Sequence, residues 1–342
     1  MKLSFILPCY NVERYVLRCL DSIYAIQLAN TDTVQHTDWT FEVICLNDAS
    51  KDSTGKILEE YAFRHSNLHF IDLPKNKGLG AVRNIGTSIA KGEYVWFVDS
   101  DDTIVSDAVP GLLRHLEQNQ SEVACINFYD VDEKGDRIRD YQVFTEVNSM
   151  NGIEFVRQCM GNKFVQNIGY VWRFLYKRSF LQKNKLLFPE GVCWEDTIYV
   201  PQALVCATSV SSSAMFGYEY WHHQSSVCQT FRRAYPGKLL YEFVFFAGVG
   251  LYDYAQTVSD EFVCQELTKL AISDYFGKLP LFLCRQTFAD RRDFYVCLRG
   301  KKFKTIACYN SFPILSKVLL LPVVGCLMAD VLSFIYKMTH LR

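Results

Sequence analysis

What this 342-residue chain lacks most clearly is an excess charge of one sign: 36 Lys and Arg stand against 37 Asp and Glu, a formal net charge of −1. There is no global basic field to draw in nucleic acid, so no nucleic-acid partner is expected, and any anionic ligand must be held locally. Cysteine pairing is also missing. The 13 cysteines are scattered from Cys9 to Cys326 without a Cys-x-x-Cys spacing. Several lie inside apolar runs, as Cys45 does in Phe41-Glu-Val-Ile-Cys-Leu46. The odd count and loose spacing argue against a zinc site and for buried, reduced thiols in a cytoplasmic protein. The N-terminal Met1-Lys-Leu-Ser-Phe-Ile-Leu-Pro8 is too short for a signal-peptide core and reads as a first strand. No internal repeat or low-complexity tract is found.

Long apolar runs are scarce as well. Val318–Ala329 has twelve residues without a charge, short of the ~20 that a membrane span needs. Asp330 ends it and Pro322-Val-Val-Gly325 interrupts it. Lys301, Lys302, Lys304, Lys317, Lys337 and Arg342 flank it. That pattern suits a segment at the inner-membrane surface, with a helical hairpin covering the core as the other reading.

What is present favours a packed core: 49% of residues are apolar and 15% aromatic. The first hundred residues alternate strand and helix. Strands are expected at Leu3–Leu7, Phe41–Leu46, Leu68–Leu73 and Tyr94–Val98. Helical spacing is expected at Val12–Ile26, Ser53–His65 and Gly80–Ala90, with a loop over Gln27–Thr40. Such alternation predicts an α/β fold with a mostly parallel sheet flanked by helices. Further on, Val123–Tyr129 and Val171–Tyr176 read as strands, and Asn151–Met160, Ser179–Lys185 and Asp196–Cys206 as helices. From about Met215 helical spacing is expected to dominate.

The densest chemical signal is Tyr94-Val-Trp-Phe-Val-Asp-Ser-Asp-Asp102, an apolar strand that ends in three carboxylates. Adjacent negative charges are costly without a cation to offset them, and a divalent metal carrying a diphosphate would do so. Asp also favours turns and helix caps, so the run alone leaves both readings open. Three more polar loops follow the preceding strands: Pro8-Cys-Tyr-Asn11, Asn47-Asp-Ala-Ser-Lys-Asp52 and Asn76-Lys-Gly-Leu-Gly80 leading to Arg83-Asn84. In a parallel sheet these strand ends meet at one crevice. The glycines do not form a dinucleotide fingerprint: their spacing is Gly78, Gly80, Gly86, and the turn Pro8–Val12 has none.

In this order the strings resemble glycosyltransferase family 2, on the glycosyltransferase-A fold. They are Ser4-Phe-Ile-Leu-Pro-Cys-Tyr-Asn11, Asn47-Asp-Ala-Ser-Lys-Asp-Ser53, Asn76-Lys-Gly-Leu-Gly-Ala-Val-Arg-Asn84, Phe97-Val-Asp-Ser-Asp-Asp102 and Trp194-Glu-Asp-Thr197. Val171-Trp-Arg-Phe-Leu-Tyr-Lys177 and Phe188-Pro-Glu-Gly191 also look like that family. The resemblance covers about residues 1–230. It implies transfer, with inversion, of a sugar from a nucleotide donor, most naturally UDP-linked, to a hydroxyl of a glycan or lipid-linked acceptor, in lipopolysaccharide, capsule or exopolysaccharide assembly. The nucleotide sugar is expected to lie on Pro8, Tyr10, Asn11, Asp48, Lys77, Gly78, Arg83, Asp99 and Ser100. Asp101 is the expected ligand of Mg2+ or Mn2+, since oxygen donors suit those ions. Asp196 is the expected general base, with Glu195 the other candidate. Trp172 and Trp194 are expected to face the acceptor.

The segment Tyr218–Ser226 is similar to a family motif in which His222 replaces an Arg, and that His either ligates the metal or packs. The expected division is a catalytic domain over 1–230, a helical extension over 231–310 and the apolar segment 311–342. A non-catalytic nucleotide-sugar-binding protein of the same fold is the alternative; the retained acids argue against it. A nucleotidyltransferase would need a glycine-rich, basic loop after the first strand, which Pro8–Val12 does not provide.

Overall fold

The computed structural model describes residues 2–26, 40–142, 145–161, 169–192, 194–223 and 238–271, with the backbone alone over 238–246. Most of the predicted loop Gln27–Thr40 and all of the apolar segment 311–342 lie outside the described residues. The chain divides into two compact units, Met1–Gly191 with Glu195–His223, and Val192–Trp194 with Gln224–Arg342.

The first unit is built on one mixed sheet. Strands β1 (Leu3–Cys9), β2 (Phe41–Asn47), β3 (Leu68–Asp72) and β4 (Tyr94–Phe97) run parallel in the order β3-β2-β1-β4. β1, β2 and β4 are buried along their whole length, which is why they read as continuous apolar runs rather than alternating ones. Odd-numbered β1 side chains Leu3, Phe5 and Leu7 pack with helices α1 (Val16–Tyr24) and α2 (Thr54–Arg64). On the other face α3 (Leu79–Ile89) lies so close that a Cβ on Gly86 would come within 2.5 Å of Ile6 Cγ2. The one acid within β2, Glu42, is fully buried, with both of its hydrogen bonds on Oε1. It accepts from Ser4 Oγ and the Lys91 amide at 2.6 Å each and faces His69 Nε2 at 3.2 Å.

Proline in a central strand is normally excluded because it removes a ladder donor. Pro8 escapes this: β1 carbonyls of Lys2 and Ile6 accept from Tyr94 and Val98, so even-numbered positions face β4, and that pairing ends at Ile6 with Phe97. The free Pro8 carbonyl instead accepts Ser100 Oγ at 2.7 Å.

Beyond β4 the sheet continues through β5 (Thr103–Ile104), α4 (Val109–Asn119), β6 (Val123–Val131), β7 (Arg137–Tyr141), β8 (Val147–Met150), α5 (Gly152–Gly161), β9 (Phe174–Lys177), α6 (Arg178–Lys183), α7 (Asp196–Cys206) and β10 (Val210–Trp221). The order is β4-β9-β6-β10-β5, with β7 on β6 and β8 on β10. β9 is antiparallel to both β4 and β6, while β10 is parallel to β6. This half corrects the reading of helix from Met215 onward. Val210–Trp221 is a twelve-residue strand; covered in part on both faces, its side chains show no clean alternation. Trp172 sits in a 3-10 turn just before β9 rather than within the expected strand.

Of the second unit, α8 (Lys238–Ala255) and α9 (Glu261–Leu270) are described. Ala247, Leu251 and Ala255 are buried, as are Val263 and Leu267. Asp260 caps α9 by accepting from the Val263 amide at 3.0 Å. Among the described residues no helix is long and apolar enough to cross a membrane.

The close approach at Gly86 gives a direct test. Gly86→Val should lower unfolding free energy by about 1–3 kcal/mol through overpacking against Ile6, read as a lower denaturation midpoint at an unchanged m-value.

Candidate active site

The four strand-end loops do converge, and hydrogen bonds among them show how. The Asp48 amide donates to the Cys9 carbonyl at 2.8 Å. Asp48 Oδ1 and Oδ2 accept from the amides of Lys77 and Gly78 at 2.7 and 2.9 Å. Asp48 therefore orders the third loop from the second strand. Gly78 precedes α3 with φ 81°, a conformation that glycine adopts without cost. Asn11, at φ 53°, accepts from the Lys51 amide and donates its own to Ser50 Oγ. Tyr10 is 44% exposed, and Lys77 is exposed as well.

The three acids after β4 have different surroundings. Asp102 is buried; its two oxygens accept from Tyr218 Oη and the Trp221 amide, each at 2.8 Å. The same Tyr218 hydroxyl accepts from the Asp99 amide at 3.1 Å. Asp102 thus ties β10 to the acidic turn, a task that sequence spacing left undefined. Burial and the neighbouring carboxylates Asp101 and Asp99 push its pKa well up. Asp101 turns outward, with Oδ2 at 3.0 Å from Nε2 of the nearly buried His223. Its carbonyl accepts from Arg18 Nη2 at 2.8 Å, and that guanidinium lies 3.4 Å from the Trp221 ring centroid.

Asp99 faces the other way. Its Oδ1 accepts from Arg83 Nη2 at 2.8 Å, while Arg83 Nη1 donates to Glu195 Oε1. The sequence led us to expect Arg83 to point at phosphate or sugar. Its guanidinium is instead buried between two carboxylates, which push its pKa up despite the desolvation. Gly80 makes room for this: a Cβ there would lie 2.4 Å from the Pro189 carbonyl oxygen and 3.4 Å from Glu195 Cγ. Glu195 is buried by the same contact, leaving the adjacent Asp196 as the partly accessible acid at the start of α7. Burial, then the negative charge of Glu195, push Asp196 up to about 8, opposed by Arg83.

Five carboxylates, Asp99, Asp101, Asp102, Glu195 and Asp196, thus stand near two guanidiniums, Arg18 and Arg83. Among the described residues no group of three or more His, Cys, Asp or Glu side chains is placed to hold a metal ion. Asp101 and His223 form a pair, and their 3.0 Å spacing suits two donors on one cation. The carboxylate suits Mg2+ or Mn2+, which keep waters and are often held by one or two carboxylates plus substrate phosphates, while the imidazole nitrogen is the less usual donor for them.

Other expected residues fall elsewhere. Trp172 is 2% exposed; it stacks on Tyr218 at 4.4 Å, and its carbonyl accepts from Trp96 Nε1. It has no face to offer an acceptor, so that expectation is corrected to a core role. Trp194 adopts φ 56° immediately before Glu195 and groups with the second unit. His222 lies 3.2 Å from Asp130 Oδ2; the imidazole at Asp101 belongs to its neighbour, His223. A groove of about 480 Å3 beside α3 is lined by Lys75, Lys77, Asn84, Ser88 and Glu190 among others, and none of Asp99, Asp101 or Asp196 lines it. His223, Tyr218 and Arg18 were missed from sequence. Tyr218 and His223 lie in the segment Tyr218–Ser226 that the sequence singled out, while Arg18 left no signal.

With this geometry in hand, similarities to known proteins can be placed. A family model described as glycosyl transferase family 2 matches residues 4–185. A poly(ribitol-phosphate) beta-glucosyltransferase of Bacillus spizizenii is 33% identical over 222 residues, 64% of this chain and 32% of that protein. The putative glycosyltransferase EpsH of Bacillus subtilis is 30% identical over 244 residues, 70% of this chain and 67% of that protein. The chain therefore spans about a third of the first relative's length and two thirds of the second's. Residues 1–349 of S. aureus TarS, solved with UDP-GlcNAc, share the fold with a TM-score of 0.64 at 22% identity, over 99% of this chain and 92% of that one. The matched region runs from β1 to just past α6, more than half of the 342 residues, and the chain belongs to glycosyl transferase family 2.

Proposed function

We propose that residues 1–230 form an inverting, metal-dependent glycosyltransferase that moves a sugar from a UDP-linked donor to a hydroxyl of a glycan or lipid-linked acceptor. The observation that carries this reading is the partly accessible Asp196, held beside Glu195 and joined through buried Arg83 to Asp99 of the acidic turn. One carboxylate raised toward neutral pH stands near a group of acids suited to a cation-bound diphosphate. That is the pairing a displacement needs: a base for the incoming hydroxyl and charge compensation for the leaving group. The solved complex of TarS with UDP-GlcNAc supports a UDP-sugar as donor, and the name of the Bacillus spizizenii relative supports a hydroxyl-rich polymer as acceptor.

In this reading Asp196 takes the acceptor hydroxyl's proton while that oxygen attacks the anomeric carbon. The bond from that carbon to the diphosphate oxygen breaks with inversion, and the nucleoside diphosphate leaves. Asp101 and His223 would hold the cation, which when bound supplies charge neutralisation for the leaving diphosphate. Asp48 keeps the Lys77–Gly78 loop in place beside the nucleoside, and Asp99 lies on the ribose side. The helical extension over 231–310 and the segment 311–342, at a cytoplasmic membrane face, would bring the enzyme to its acceptor during assembly of a surface glycan.

Replacing the base should separate chemistry from binding. Asp196→Asn should cut kcat by about 100- to 10,000-fold and leave the UDP affinity measured by calorimetry nearly unchanged; full activity in this variant would remove Asp196 from the role.

The raised Asp196 also sets two pH dependences. The kcat/KM profile should climb with pH toward about 8 as the base ionises. Stability should move the opposite way. The folded state keeps this proton between the ordinary 3.8 and about 8, while the unfolded chain releases it. The contribution is therefore complete below pH 3.8 and is lost as pH rises through about 8. Asp196→Asn should flatten that part of the Tm-against-pH curve for the ligand-free protein.

For the cation, Mn2+ should tighten UDP binding to the wild-type protein. Asp101→Ala should abolish that gain and His223→Ala should weaken it. Mn2+ dependence unchanged from the wild type in both variants would move the metal site elsewhere.

A further inference from the structure

Trp172 is buried, yet it supports a ring that is not. Tyr170 is 37% exposed and stacks on the indole with centroids 5.2 Å apart and planes 11° apart. The same indole lies parallel to the rings of Tyr218, at 4.4 Å, and half-buried Tyr220, at 5.8 Å. The stack thus runs from Tyr218, whose hydroxyl meets both Asp99 and Asp102, to a ring at the surface.

Two contacts connect the stack to the segments that carry the reacting groups. Gly169, next to Tyr170, packs against Thr197, next to Asp196: a Cβ on Gly169 would lie 3.0 Å from Thr197 Cγ2 and 3.3 Å from its Cα. On the other side, Tyr220 meets His222 edge-on at 5.0 Å. His222 is exposed, pairs with Asp130 at 3.2 Å, and precedes the His223 that faces Asp101. Aromatic faces and an exposed imidazole therefore lie on the segments that lead to the base and to the proposed cation site.

We propose that Tyr170 and Tyr220, with the His222–Asp130 pair, form the subsite that holds the acceptor, and that its ligand is a hydroxyl-rich ring or chain, a sugar or polyol. Tyrosine rings offer a flat apolar face for the C–H side of such a ligand and a polar edge for its hydroxyls. Nearly buried Asp130 orients the exposed His222 ring, whose other nitrogen bonds the ligand's hydroxyls. The inference rests on the glycosyltransferase reading above and assigns its acceptor side.

The test measures UDP release from UDP-GlcNAc and UDP-glucose with Mn2+, in water alone and with ribitol, methyl β-D-glucopyranoside or methyl N-acetyl-β-D-glucosaminide added. At least one of the three should stimulate release by the wild-type protein. The ratio of stimulated to unstimulated release should fall by about tenfold in Tyr170→Ala and stay within about threefold in Tyr170→Phe, which keeps the ring. Tyr170→Leu, which keeps bulk without the flat face, should behave like the Ala variant and guards against a folding defect. His222→Ala should raise the probe concentration needed for half-maximal stimulation. An unchanged ratio in both Tyr170→Ala and Tyr170→Leu overturns the subsite. So does a failure of all three probes to stimulate while release in water continues. If the wild-type protein neither releases UDP nor gains thermal stability from either UDP-sugar, it is the donor reading that falls, and this subsite with it.

Discussion

The site depends on one buried cation. Arg83 brings a guanidinium to 2% residual exposure, where an unpaired charge would cost several kcal/mol. Its fork is matched by two carboxylates, Asp99 and Glu195, which lie 16 and 112 residues away in sequence. A lysine could not span them, because a single ammonium lacks the planar pair of donors. Everything nearby accommodates this bridge. Gly80 and Gly86 let α3 approach the Pro189 backbone on one side and Ile6 on the other. With Glu195 held by Arg83, the next residue, Asp196, is left as the partly accessible acid, and its burial, then the negative charge beside it, raise its affinity for a proton.

A second, neutral anchor fixes the other half of the sheet. Tyr218 joins β10 to the acidic turn through both Asp99 and Asp102, and the Trp221 amide completes the hold on Asp102. Because β10 is pinned there, His223, two residues past its end, falls opposite Asp101. The aromatic stack on Tyr218 extends the same anchor toward the surface. The parallel half of the sheet thus positions the proposed nucleotide loops, and the mixed half positions the imidazole and the rings.

How legible this was differs sharply between the halves. In β1 to β4 the runs are apolar throughout, the turns are polar, and each acidic loop follows its strand directly, so local pattern and tertiary role agree. The later elements are harder. α4 opens on Val109-Pro-Gly, residues that usually break helices, although Pro costs little in a first turn. β7 is exposed along nearly its whole length and carries Arg137, Arg139 and Asp140, so it shows no buried face. β10 is covered on parts of both faces and loses the alternation that marks a strand. Trp172 looked like a ligand platform because a large aromatic in a recognisable string has two common fates, and its spacing gives no means of choosing between them.

By itself the sequence determined the chain's class, the order of its four strand-end loops and the identity of the acids that meet there, because those features are set by short runs and their immediate turns. Tertiary structure alone decided which acid faces which partner. That Arg83 points to Glu195 rather than to a ligand, that Asp102 serves Tyr218, that His223 rather than His222 reaches Asp101, and that Tyr170 rather than Trp172 is the exposed ring all depend on packing between segments some 70 to 120 residues apart. Burial and pairing of charge are properties of the assembled core, and no local pattern encodes them.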